Sequence, residues 1–197
     1  YDRDNDGFSF FFTLNSSTVG FRSYFKTSDY SKITAEYHHL GEFRRGGNNL
    51  DRPPHEADIA EQLKHNIDAG SVKFDYFTPD SKHFLSTYVS AQHIARESYF
   101  GTQQNLKAYG QSQDMTAVAG AQYRFSMEKF LFMPADLSAG VEYSYNKLHD
   151  QILGYHRDLH QQVHLYGGYV QNEWKNSVLS FLIGARLEKH SLIKKPV

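Results

Sequence analysis

The stretch Gly168-Tyr169-Val170-Gln171-Asn172-Glu173-Trp174-Lys175-Asn176-Ser177-Val178-Leu179-Ser180-Phe181-Leu182-Ile183-Gly184-Ala185-Arg186-Leu187-Glu188 decides the fold. From Leu179 to Leu187 every second residue is apolar (Leu179, Phe181, Ile183, Ala185, Leu187), and Ser180, Leu182, Gly184, Arg186 and Glu188 take the alternate places. Successive side chains of a strand point to opposite faces, so the segment predicts a strand with one apolar face and one mostly small or charged face. Upstream, Tyr169, Gln171 and Glu173 share one face and Val170 and Trp174 the other, with Lys175-Asn176-Ser177 as the tight turn between the strands. Such a hairpin has two readings. Its apolar face packs on a protein core, or it faces lipid outside a transmembrane barrel whose polar face lines a lumen. Periodicity is the same in both, so the rest of the chain must choose.

The same alternation recurs along the chain. Val19, Phe21 and Phe25 oppose Thr18, Gly20, Arg22, Tyr24 and Lys26. After a turn over 27–30, Ile33, Ala35 and Tyr37 oppose Lys32, Thr34, Glu36 and His38. A third strand, resuming near Asp68, sets Val72, Phe74 and Tyr76 against Ser71, Lys73 and Asp75. Thr78-Pro79-Asp80-Ser81 turns it into a fourth, with Leu85, Thr87, Val89 and Ala91 against Ser86, Tyr88, Ser90 and Gln92. Ala117, Ala119, Ala121, Tyr123 and Phe125 mark a fifth. A turn containing Met133-Pro134 leads to a sixth with Leu137, Ala139, Val141, Tyr143 and Tyr145. Between these hairpins lie long segments, 43–56, about 96–113 and about 147–162, that read as irregular. In the first of them Gly46-Gly47 and Pro53-Pro54 are expected to forbid regular pairing. Tyr1 to Gly7 reads as a polar loop tip leading into Phe8-Ser9-Phe10-Phe11-Phe12.

Short and long connections therefore alternate, as in outer-membrane barrels with short periplasmic turns and longer extracellular loops. Phe25, Tyr30, Tyr76, Phe77, Phe125 and Trp174 gather near the short turns, where an interfacial girdle would lie. Aromatics are 15% of the chain at a mean hydropathy of -0.61, a polar but aromatic mixture suited to a barrel. No apolar run approaches the roughly 18 residues of a membrane helix, whereas a tilted strand crosses with about 9 to 11. The absence of cysteine excludes a disulfide framework, a thiolate zinc site and a catalytic thiol. A net charge of -1 leaves no footprint for nucleic acid. The expectation is an all-β chain: an antiparallel transmembrane β-barrel segment of about eight strands in four hairpins, partnered by the lipid of a Gram-negative outer membrane. With no initiator Met and with a basic, proline-broken end at Lys194-Lys195-Pro196, the chain reads as a piece of a larger barrel or a processed product.

Tyr169-Val170-Gln171-Asn172-Glu173-Trp174 followed by Leu179 to Glu188 resembles the strand pair Tyr-x-Gln-x-Glu, then Leu-x-x-x-x-Gly-x-Arg, of TonB-dependent outer-membrane receptors. Glu42-Phe43-Arg44-Arg45-Gly46-Gly47-Asn48 and Pro53-Pro54-His55-Glu56-Ala57-Asp58-Ile59-Ala60-Glu61 resemble one branch of the same family. The resemblance covers essentially all of residues 1–197. It implies a partial receptor barrel without the plug, roughly a third of a twenty-two-strand cylinder. It also implies energised import of a scarce nutrient such as an iron-siderophore, haem, cobalamin or a glycan. The TonB complex would be engaged through a plug outside these residues, with no cofactor and no bond made or broken. Rival classes are a plug-less porin or adhesin, a barrel enzyme, and a soluble β-sandwich binding domain.

For ligand contact the candidates are Arg44, Arg45 and Arg52, whose guanidinium forks suit carboxylate or phosphate, together with His55. The plainer reading pairs these arginines with Asp51 and Glu56 or leaves them solvated. His55-Glu56 beside Asp58 is a weak metal candidate. So are His156, His160 and His164, whose spacing of four would align them on a helix if that segment were helical. Arg22, Glu36, Lys73, Arg124, Glu142, Glu173, Arg186 and Glu188 fall on the polar face, where mixed signs suggest cross-strand pairing. An enzyme would need a nucleophile and base on one face, and the odd offset of Ser90 and His93 puts them on opposite faces.

Overall fold

The structure is a computed structural model that describes residues 12–195; the readings of Tyr1 to Phe11 and of Pro196 lie outside it. Eight strands follow one another: β1 (Phe12–Ser28), β2 (Ser31–Gly47), β3 (Ile59–Phe77), β4 (His83–Thr102), β5 (Tyr109–Phe130), β6 (Met133–Ile152), β7 (Arg157–Lys175) and β8 (Ser180–Lys195). They form one antiparallel sheet in the order of the sequence, the all-β hairpin arrangement that the alternation predicts. Among the described residues β1 pairs with β2 alone and β8 with β7 alone.

Register carries the alternation from strand to strand. One row of directly paired residues reads Phe25, Ile33, Phe74, Thr87, Ala121, Val141, Gly168 and Leu187. The neighbouring row reads Tyr24, Thr34, Lys73, Tyr88, Gly120, Glu142, Gly167 and Glu188. Because a slip of one residue would exchange the faces of a whole strand, this agreement over seven ladders means that every hairpin presents its apolar side to the same face. Val89, Val141 and Leu187 on that face are 60%, 65% and 82% exposed, and no second layer covers them among the described residues. The polar face is the more enclosed, with Thr34, Asp75, Ser86 and Ser138 buried on it. Side chains two strands apart meet there, as Tyr88 does in donating its hydroxyl to Glu142.

The strands are longer than the sequence suggests. Residues 43–47, 59–67, 96–102, 109–113, 147–152 and 157–162 all belong to ladders, leaving 48–58, 103–108 and 153–156 as connections. Gly46 and Gly47, expected to interrupt pairing, stand opposite Glu61 and Ala60. Gly47 adopts φ 103°, which a glycine takes at little cost, and an added Cβ would strike the Ile59 carbonyl. The turn between β5 and β6 falls at 131–132, so Met133 and Pro134 open β6. At the other short ends Asp80 Oδ1 accepts from the Thr78 hydroxyl (2.5 Å) and the Lys82 amide (3.1 Å). Asn176 Oδ1 likewise accepts from the amides of Val178 and Leu179, each at 2.8 Å. These are the local side-chain bonds that make Asp and Asn turn residues. Trp174, stacked between rings of Phe130, Phe132 and Phe181, anchors the aromatic group at this end.

Candidate ligand-binding face and loop cluster

Above the apolar band the exposed face turns polar. Tyr37 donates its hydroxyl to Asp68 (2.7 Å), His39 lies 2.8 Å from the same oxygen, and His93 stands opposite Asp68 in the ladder. One step higher the paired row is Gly41, Asn66, Ala95, Gln113, His149 and His160. The strands thus run on past the apolar band at the loop end, keeping their backbone ladder after the hydrophobic alternation has stopped.

On the polar face this upper zone gathers arginines against carboxylates. Arg44 Nε lies 2.7 Å from Glu42, with His65 3.7 Å from the same oxygen. Asp150, buried, meets Arg157 Nε at 2.7 Å and Arg96 Nη2 at 3.4 Å. Asp114 accepts both 3.0 Å contacts of the Asn146 amide and a 3.1 Å bond from Thr116. Lower down Arg22 pairs with Glu36 (2.9 Å), Lys73 with Asp75 (3.1 Å) and Arg186 with Glu188 (2.6 Å), the last two within one strand rather than across. Arg124 instead lies over the ring of Phe84, 5.5 Å from its centre.

The three connections at this end fold together. Single 3-10 turns at Pro54–Glu56, Leu106–Ala108 and Leu153–Tyr155 bring Ala57, Ala60, Tyr99 and Ala108 into a small buried cluster, the only one among the described residues. Tyr99 packs edge-on against Tyr109 (ring centres 4.8 Å apart), and burial pushes the Tyr109 hydroxyl's pKa up. Backbone and side-chain bonds cross between loops: Gln103 N donates to the Asp58 carbonyl (2.8 Å), and Tyr155 donates to the Phe100 carbonyl (3.1 Å).

The predicted ligand residues separate. Arg44 and Arg45 are neighbours in a strand and point to opposite faces, so they do not grip one group as a pair. Arg45 is 3% exposed and spends its guanidinium on the carbonyls of Gly46 (2.5 Å) and Asn48 (3.4 Å), a structural role in the loop cluster. Arg52 is exposed in the 48–58 connection, and His55 is hydrogen-bonded through Nδ1 to the Tyr109 hydroxyl (2.8 Å). Asp58 accepts from the Asn48 amide (2.9 Å), so His55 and Asp58 turn to different partners. His156 occupies a turn at φ 50° and His160 and His164 lie in β7, so no helix aligns the three. His164 sits against Tyr143 and Tyr145, whereas His160 stacks on His149. Sequence reasoning missed Arg96, Arg157 and Asp150, because all three fell in segments read as loop. Extending the strand parity outward from Gln92 and Glu142 would have placed Arg96 and Asp150 on the polar face.

What this arrangement offers is recognition: guanidinium groups held in place by carboxylates, on one face and at one end of a sheet. No protein-family model and no curated protein matches the chain.

Proposed function

We propose that the chain is an arc of the barrel of a TonB-dependent outer-membrane receptor, with its apolar face against lipid and its polar face lining the lumen. The reading rests on the exposed apolar band, which crosses all seven ladders and gives way to polar residues toward the loop end, past Tyr145 on β6 and past Leu187 on β8. On β6 the band extends from Leu137 to Tyr145, about 27 Å along the strand at ~3.4 Å per residue. At a tilt near 40° that is about 21 Å, of the same order as the ~25 Å apolar belt of known barrels. Aromatic residues border it at the short-turn end and Tyr37, His39, Asp68 and His93 at the other, as interfacial girdles do. A soluble sandwich would need a second layer on Val89, Val141 and Leu187.

In this reading the short turns are periplasmic, the joined loops extracellular, and the protein binds a small-molecule or metal-chelate nutrient for TonB-driven passage. Arg44, Arg96 and Arg157 on the lumen side are better placed for an anionic ligand group than Arg45, Arg52 or His55. The chemistry is binding and gated transfer, without catalysis.

Because the chain has no cysteine, single cysteines test the orientation directly. Val89→Cys and Val141→Cys, in chain reconstituted into vesicles, are expected to resist a water-soluble maleimide, while Ser90→Cys and Ser144→Cys react. Spin labels on the first pair should collide with dissolved oxygen in the bilayer more than with an aqueous nickel chelate, and the second pair should reverse that order. A monomer soluble without detergent, labelled equally at all four positions, would overturn the lipid-facing reading.

A further inference from the structure

The loop end of the β6–β7 hairpin brings three metal-binding side chains to one point. His149 and His160 stand directly opposite one another, their rings stacked 3.9 Å apart at 18°. Asp158, two residues before His160 and so on the same face of β7, places Oδ1 3.2 Å from His149 Nε2 and 3.3 Å from His160 Nε2. All three donor atoms lie within 4.8 Å of one another, and all three side chains are partly exposed.

A carboxylate oxygen can accept from two N–H donors, and the same convergence of two Nε2 atoms on one oxygen also sets the three donor atoms at the spacing of a shared cation's ligands. Around a tetrahedral ion with bonds of about 2.0–2.1 Å, neighbouring ligand atoms are separated by roughly 3.3 Å. The two nitrogen–oxygen separations, 3.2 and 3.3 Å, are already near that value, and the stacked rings would turn on binding to aim both in-plane Nε2 lone pairs at one ion.

We propose that His149, Asp158 and His160 form a three-ligand site for a divalent transition-metal ion, with Zn²⁺ the best fit. Two imidazoles and one carboxylate suit Zn²⁺, Ni²⁺ or Cu²⁺, whereas Ca²⁺ and Mg²⁺ prefer oxygen-only shells. Partial exposure leaves a fourth position for water or a partner's ligand. The ion would staple β6 to β7 beside the turn at His156. The site depends on the register of this hairpin and not on what medium meets the apolar band.

Zn²⁺ titration of the full chain in detergent, followed calorimetrically, tests the proposal, with Co²⁺ as an absorbing substitute. One saturable ion per chain is expected beyond the background of the other histidines, with a cobalt band of four- or five-coordinate intensity. His149→Ala, His160→Ala and Asp158→Asn should each weaken binding tenfold or more, while His156→Ala and His164→Ala change it less than twofold. On the unmodified chain, Zn²⁺ should protect His149 and His160, but not His156, from diethyl pyrocarbonate, a readout that requires no variant to fold. Absence of a saturable site, or equal modification of the three histidines with and without Zn²⁺, would overturn the assignment.

Discussion

At the scale of single residues, small side chains decide where large ones lie. The ring of Tyr88 lies across Gly120 on β5, where an added Cβ would come within 2.6 Å of the ring, and its hydroxyl reaches over that glycine to Glu142 on β6. Tyr169 lies across Gly140 in the same way, 2.5 Å from the Cβ position. Gly120→Val is therefore expected to destabilise by about 1–3 kcal/mol, the usual cost of overpacking. In a Tyr88→Ala background the same change should cost less, giving a coupling of about 0.5 kcal/mol or more in a double-mutant cycle of unfolding in detergent. Strict additivity would show that the ring does not occupy the space above the glycine.

At the scale of elements, the hairpins are closed by side-chain caps as much as by backbone. In the β3–β4 turn the Thr78 hydroxyl and the Lys82 amide, both donating to Asp80, hold its carboxyl below its ordinary range. A carboxyl lowered by folding contributes its full stabilisation above the ordinary carboxylate pKa and loses it as pH falls through the lowered value. Asp80→Ala should thus lower the unfolding midpoint at neutral pH, and the gap from the unmodified chain should close in acid. A gap that is constant with pH would mean that the carboxylate is not the cap. These turns were legible from Thr78-Pro79-Asp80-Ser81 and Lys175-Asn176-Ser177. The upper strand ends were not. Hydrophobic alternation reports a change of medium across the sheet, and above His39, Asp68 and His93 both faces are polar. The ladder of backbone bonds continues there without leaving a period in the sequence.

At the scale of the whole molecule, the two faces give the membrane reading a quantitative test. Val141 and Ser144 lie on opposite faces of β6. Arginine at a lipid-facing midplane position costs about 2–4 kcal/mol. At an exposed position in water the change stays within about 0.5 kcal/mol. Denaturant unfolding from vesicles should therefore show Val141→Arg strongly destabilised and Ser144→Arg nearly unaffected. Equal small effects would place both faces in water and remove the basis for a receptor barrel.

The sequence by itself determined the all-β class, the succession of hairpins and which residues share each face, because strand side chains alternate with a period of two wherever the two faces differ in polarity. Only the tertiary structure decided how far the strands run, that Arg44 and Arg45 part company while Arg96 and Arg157 meet on Asp150, and that His160 finds His149 instead of His156 or His164. Those are partnerships between strands. They depend on register across a ladder, which is fixed by every pair of a hairpin at once and is carried by no single stretch of the chain.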